Sequence, residues 1–352
     1  MYTGRIYRLI DMAKWTRFES FIFVLIVSVW SCVYYFFDLE GVRIPWTPMA
    51  LIGTAVAFMI GFQNNAVYDR IWEARKIWGG IVNESRTFGI YAQAMLSNEY
   101  VIHENFSEEE IHREVKALTY RHIAWLTALR YSMRTQKNWE TTSNNRTNRE
   151  WGIDPPEWSK SLEESLKDYI GEQEIQEILS KDNRQTALLY QQSRHIKELK
   201  ERGLIWEFSF LELQGLIQSL LSLQGKTERI KNFPYPRQYA TLNHYFMWLL
   251  LLLLPVALIP QFIEIGNEIS NQFPVLAKAF IWISIPIYTA VAWMFHTMER
   301  IGRTGENPFE GTSNDVPISA IARGIEIDLR QNLGEESTEI PDQFPENYGV
   351  QF

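Results

Sequence analysis

The run Trp248-Leu249-Leu250-Leu251-Leu252-Leu253-Leu254 offers no polar side chain beyond the indole N–H at any helical spacing. A helix built from it has no face to turn toward water, so it belongs in a core or in lipid. It sits inside a longer segment, Gln238 to Ile263, of 26 residues without Asp, Glu, Lys or Arg. Three more charge-free segments, Ser20 to Phe37, Ile44 to Tyr68 and Ala279 to Met298, contain 18, 25 and 20 residues. A helix needs about 20 apolar residues to cross a hydrocarbon core of about 30 Å. Each segment is therefore long enough to span, the first only just. A backbone in hydrocarbon must satisfy its own polar groups, which predicts four helices. One such run could be the core helix of a large soluble protein; four in one chain argue against that.

Whole-chain averages conceal this pattern. A mean hydropathy of −0.20 and 22% charged residues resemble a soluble enzyme because the charges are concentrated between the apolar segments. Their sign gives an orientation, since Lys and Arg near span ends stay on the cytoplasmic side. Arg5, Arg8, Lys14 and Arg17 precede the first span and Arg70, Arg75 and Lys76 follow the second. Lys226, Arg229, Lys231 and Arg237 precede the third, and Arg300 and Arg303 follow the fourth. The connections Asp38 to Arg43 and Glu264 to Lys278 each hold one basic and two acidic residues, and are read as the outside loops. Both termini and the segment Asp69 to Arg237 are then expected in the cytoplasm, in a multi-pass membrane protein. Trp15, Trp46, Tyr34, Tyr35, Tyr239 and Tyr245 near span ends suit the interface. The expected organisation is 1–68 (N-terminal segment and two spans), 69–237 (cytoplasmic helical domain), 238–298 (two spans) and 299–352 (cytoplasmic C-terminal segment).

Other chemistry is sparse. The first apolar run is too long for a signal peptide and lacks a small-residue cleavage site, so the first span is expected to persist. Cys32 is the only cysteine, which leaves no intrachain disulfide and no cysteine metal cluster. The net charge of −8 gives no hint of a nucleic-acid partner. His103, His112, His122, His195, His244 and His296 show no His-Glu-x-x-His spacing, and no Gly-x-x-x-x-Gly-Lys loop occurs. No enzyme activity, cofactor or metal site is expected. His244 stands apart as an ionisable residue inside a span, near its inner end.

Between the second and third spans the pattern is helical. Ile111, Val115, Leu118, His122, Trp125 and Leu129 recur at steps of four and three, behind a capping box of Ser107 and Glu110. A second helix is expected over Glu172 to Glu201, capped at Gly203. A third carries Leu213, Leu216, Leu220 and Leu223 and stops before Phe233-Pro234-Tyr235-Pro236. Gln136 to Glu150, rich in Asn, Thr and Arg, reads as an exposed loop. No strand pattern or internal repeat stands out.

The functional signal is concentrated at the second span: Ile44-Pro45-Trp46-Thr47-Pro48, then Gly61-Phe62-Gln63-Asn64-Asn65-Ala66-Val67-Tyr68-Asp69-Arg70-Ile71-Trp72-Glu73-Ala74-Arg75. Trp78-Gly79, Val82-Asn83-Glu84-Ser85-Arg86, Asn307-Pro308-Phe309 and Asn314-Asp315-Val316-Pro317 continue it. With four spans at this spacing, the set resembles the bacterial branch of the bestrophins. The fold class expected is an all-α membrane protein, four transmembrane helices plus a cytoplasmic helical bundle, bestrophin-like. Gly53, Ala57 and Gly61 form a small-residue stripe that suits close helix packing. Beside it run Thr54, Phe58 and Phe62, which by the resemblance match the hydrophobic neck of a pore made by five copies of one helix. Such aromatic rings can exclude water and hold a pore closed. An isolated Phe58–Phe62 pair could instead face lipid, and Leu51 and Ala55 form a competing stripe.

The resemblance also implies a cytoplasmic aperture near Ile205 or Phe208. Three departures bear on mechanism. Gln63 stands where the family often has Arg, so a basic ring below the neck is absent, and Ile71 replaces a usual Trp. Eukaryotic members bind calcium after the Asn-Pro-Phe motif, whereas Glu310 to Asp315 offers only two carboxylates here, few for an ion taking about six to eight oxygen ligands. The function implied is a homopentameric channel in membrane lipid for small inorganic ions, chloride or another monovalent anion by default. A cation channel of the same fold and a non-conducting membrane scaffold or sensor are the alternatives.

Overall fold

A computed structural model describes residues 1–37, 41–101, 106–140, 148 and 154–352. Most of the loop expected over 136–150 lies outside the described residues, as do His103, Asp38 and Glu40. The helices are α1 (Leu9–Phe37), α2 (Trp46–Ala94), α3 (Glu108–Arg134), α4 (Leu162–Leu166), α5 (Glu172–Leu179), α6 (Arg184–Glu201), α7 (Glu207–Asn232), α8 (Arg237–Ile269), α9 (Pro274–Thr304) and α10 (Ile318–Asn332). Among the described residues the only β pairing is in isolated bridges. Helices α1, α8 and α9 contain three of the charge-free segments, α2 takes up the fourth from Trp46 on, and all four helices are long and apolar enough to cross a membrane. Each outruns its segment, because a charge marks the edge of hydrocarbon and not the end of a helix.

The chain divides into two compact units, residues 4–69 with 235–306, and residues 1–3, 70–234 and 307–352. Residues 1–3 group with the second of these units and not with the spans that follow them in the chain. The reason is local: Tyr2 bridges to Val350, and the Thr3 N–H donates to the Gly349 carbonyl at 2.8 Å.

The first unit is built from the apolar helices. Phe23 and Val27 of α1, Met49, Val56 and Ile60 of α2, Met247, Leu250, Leu251 and Leu254 of α8 and Tyr288 of α9 share its core. The leucine run therefore divides, Leu250, Leu251 and Leu254 buried while Leu249 and Leu252 are exposed. Pro255 and Pro260 interrupt α8. A proline lacks the N–H that would pair with the carbonyl four residues earlier. For Pro255 that carbonyl is Leu251, and the Tyr288 hydroxyl donates to it at 2.7 Å. For Pro260 it is Val256, which lies 3.5 Å from the Tyr34 hydroxyl. A Cβ on Gly266 would stand 2.7 Å from the Ala277 carbonyl oxygen, so only glycine allows α8 and α9 to cross this closely.

The second unit packs α3 as expected. Ser107 Oγ accepts from the Glu110 N–H at 3.2 Å and Glu110 Oε2 accepts from the Ser107 N–H at 2.8 Å. Val115, Leu118, His122, Trp125 and Leu129 are buried. The single helix expected over Glu172 to Glu201 is instead two, α5 and α6, broken at Ser180–Asn183. Asn183 Oδ1 accepts from the Thr186 N–H at 2.9 Å and starts α6 afresh. Gly203 follows α6 at φ +83, as the cap expectation required. Helix α7 ends before Phe233-Pro234, and α10 was not anticipated.

His122 is 1% exposed and stacks on Phe88 with ring centroids 4.8 Å apart, its two nitrogens unpartnered. Burial pushes its pKa down to about 3. Two outcomes follow from these contacts. Tyr288→Phe should cost about 1–2 kcal/mol by leaving the Leu251 carbonyl unpaired, read as a lower melting temperature in detergent. The unfolded chain protonates His122 near pH 6.5 but the folded chain only near 3, so stability should fall as pH drops through that window, by at most about 1.4 kcal/mol per pH unit. The melting temperature of His122→Phe should decline less between about pH 7 and pH 5 than that of the native chain.

Candidate functional site

Pro48 lies in the first turn of α2, where its missing N–H costs nothing, and the helix then runs unbroken for 49 residues. Its two faces differ sharply within the first unit. Met49, Val56, Ile60, Gln63 and Val67 are buried, whereas Thr54, Phe58 and Phe62 all lie on the exposed side. Phe58 is 65% and Phe62 71% exposed, and their rings lie face to face with centroids 6.5 Å apart at 28°. Thr54 turns its hydroxyl back to the Ala50 carbonyl at 2.8 Å, which spares the stripe a free donor. Leu51 and Ala55 are exposed too, so the open face is broad enough to include the competing stripe.

The small-residue stripe does not close a seam within the chain. A Cβ on Gly53 would meet Leu250 Cδ1 at 3.8 Å, an ordinary contact. Ala57 is exposed, and a Cβ on Gly61 would meet nothing within 4 Å. Met49, Val56 and Ile60 make the packing instead, so Ala57 and Gly61 widen the open face.

Gln63 corrects a second expectation. It is 2% exposed and points into the bundle, away from Phe58 and Phe62. Its Oε1 accepts from Asn243 Nδ2 at 2.7 Å and its Nε2 donates to Glu306 Oε1 at 3.2 Å. Arg237 donates to the other oxygen of Glu306. Position 63 is therefore a buried partner for Glu306 on the packed side of α2 and contributes nothing to its open face. Burial raises the Glu306 pKa, while Arg237 and Gln63 oppose the rise.

Near this cluster, His244 Nδ1 lies 3.1 Å from Glu299 Oε1, and Arg303 is 3.6 Å from the same oxygen. His296, one turn before Glu299, is 3% exposed between Phe23 and Trp248, both nitrogens unpartnered. Glu299, the partner of His244, follows the charge-free run directly and so looks like the charge that ends the span; its spacing from His296, which puts both on one helical face, is the signal in the sequence that marks it.

In the second unit, Ile205 and Phe208 part company. Ile205 is 2% exposed within the core and cannot line an aperture, because assembly only adds cover. Phe208, in the first turn of α7, is 61% exposed and packs its ring against Trp206. Ile71 is half-buried against the same core. Asp315 and Glu310 are both buried and engaged. Asp315 accepts from the Gly311 N–H at 2.6 Å and from Arg134 at 3.2 Å, and Glu310 accepts from Asn307 at 3.1 Å. Among the described residues no group of three or more His, Cys, Asp or Glu is placed to hold a metal ion.

The family model for Bacterial/Fungal Bestrophin protein matches residues 17–265 and 273–331. The chain belongs to the bestrophin family. Similar bestrophins include the voltage-dependent anion channel-forming protein YneE of Salmonella typhi, 23% identical over 310 residues, covering 87% of this chain and 84% of the relative. The RSc3414 protein of Ralstonia nicotianae, which bears the same description, is 26% identical over 296 residues, 84% of this chain and 80% of its own. The crystal structure of a bacterial bestrophin homologue from Klebsiella pneumoniae aligns with a TM-score of 0.69 at 21% identity, over 91% of this chain and 98% of that one. The bestrophin fold is thus retained at low identity.

The Glu306 cluster makes a direct expectation. Arg237→Ala should lower stability by about 1–3 kcal/mol by stranding a buried carboxylate, and adding Glu306→Gln should restore part of the loss in the same melting assay.

Proposed function

We propose that five copies of this bestrophin assemble around one axis and pass small monovalent ions through the membrane. The observation that carries this reading is the open face of α2. Phe58 and Phe62 are mostly exposed in a membrane-length helix whose opposite face is closely packed. Around an axis, that face would gather Thr54, Phe58 and Phe62 into a hydrophobic neck whose aromatic rings exclude water until the helices rotate or part. Phe208 would contribute a second constriction on the cytoplasmic side.

Chloride or another monovalent anion is the ion we assign first, supported by the anion-channel description that the relatives carry. A cation reading has one observation in its favour: the exposed acidic side chain of Asp69 on the same helix. The basic flanks of the four spans support a multi-pass arrangement in the bacterial inner membrane with both termini in the cytoplasm.

Reconstitution into planar bilayers tests the reading. The native protein should give ion currents, and Phe62→Ala should raise the open probability or conductance by about tenfold, since removing a ring from each copy hydrates the neck. Absence of flux under every gradient and voltage, from protein that is folded in the bilayer, would favour a non-conducting scaffold. A monomeric particle in mild detergent would remove the pentamer.

A further inference from the structure

Beyond Phe62 the exposed face of α2 continues through Asn65 to Asp69, both exposed and neither with a hydrogen bond or ion pair among the described residues. Seven residues separate Phe62 from Asp69, two turns and about 10 Å along the axis, and the two side chains emerge within about 20° of each other. Phe58 and Thr54 precede Phe62 at successive four-residue steps, each about 40° further round, so that Thr54, Phe58, Phe62, Asn65 and Asp69 fall within about 80° of one another. One stripe therefore passes from hydroxyl to aromatic rings, then to amide, then to carboxylate. All of it lies within the first unit.

This order fits a water passage better than a lipid face. At the cytoplasmic edge of a span, anionic headgroups attract basic side chains and repel acidic ones. Arg70, the neighbouring base, does not cover Asp69 in the direction of the stripe. Its guanidinium donates to the carbonyls of Ile230 and Phe233, at 3.2 and 2.9 Å.

We propose that Asp69 is a charge-selecting residue of the passage, whose carboxylates, one from each copy, lower the permeability of anions relative to cations just beyond the Phe62 ring. This rests on the channel reading above and adds to it a residue that limits how strongly the passage favours anions. Even at the dielectric constant of water, one unit charge about 5 Å from an ion changes its local population about fourfold, and salt screening reduces this to about twofold. Five carboxylates acting together offset that screening.

Reversal potentials of the reconstituted native channel in asymmetric KCl give the chloride-to-potassium permeability ratio. Asp69→Asn should raise that ratio at least about threefold, Asp69→Glu should leave it near native, and Asn65→Asp, a carboxylate one turn nearer the neck, should lower it. Asn65→Asp keeps the test open if Asp69→Asn fails to fold. Native currents with a ratio unmoved by both Asp69→Asn and Asn65→Asp would overturn the role of Asp69 and leave the channel standing. No current from the native protein would overturn the channel itself.

Discussion

A helix that packs one face and leaves the other without a partner in its own chain is the constraint on which this molecule turns. In α2 the packed face is fixed by Met49, Val56, Ile60 and Val67. The open face carries two large aromatic rings that the described residues leave mostly exposed. Exposed phenylalanines are unremarkable against lipid taken singly. What distinguishes this stripe is its continuation into unpaired polar and acidic groups, which lipid does not solvate and a second copy or a water path does.

The same requirement shapes the rest of the apolar unit. Lipid offers no hydrogen bonds to a carbonyl that a proline has freed, so a helix with two internal prolines depends on its neighbours. Tyr288 from α9 meets the Leu251 carbonyl, and Tyr34 from α1 approaches that of Val256. Tyr288 thus pairs one freed carbonyl, while Tyr34, whose hydroxyl donates to the Val42 carbonyl, stands beside the other. Gly266 serves the same packing from the other side, by letting α8 and α9 approach where any side chain would strike a carbonyl.

Much of this was legible in the sequence because it depends on local rules. Missing charge marks a span wherever it occurs, a Ser-x-x-Glu box caps a helix by its own hydrogen bonds, and Gly203 takes a backbone angle that other residues resist. What was not legible depends on neighbours distant in the chain. The break at Ser180–Asn183 falls in a stretch whose periodicity continues on either side, and only Asn183 marked it. Ile205 and Phe208 are three residues apart and equally apolar, yet one is core and the other surface. Helix α10 has a short apolar face, Ile318, Ala322, Ile325 and Leu329, that reads as helical only once something is packed on it.

Gln63 and Asp69 show most directly how register governs chemistry. Read as a string, position 63 is the polar residue beside the neck and Asp69 is the charge that ends the span. On the helix their roles exchange. Gln63 is rotated about 100° from Phe62 and meets Glu306 in the bundle, while Asp69, two turns on, returns to the aromatic face. A basic side chain at position 63 would, in this geometry, be directed at the buried carboxylate of Glu306 and not at the open face. Under the channel reading proposed above, the first exposed charge after the rings on that face is Asp69.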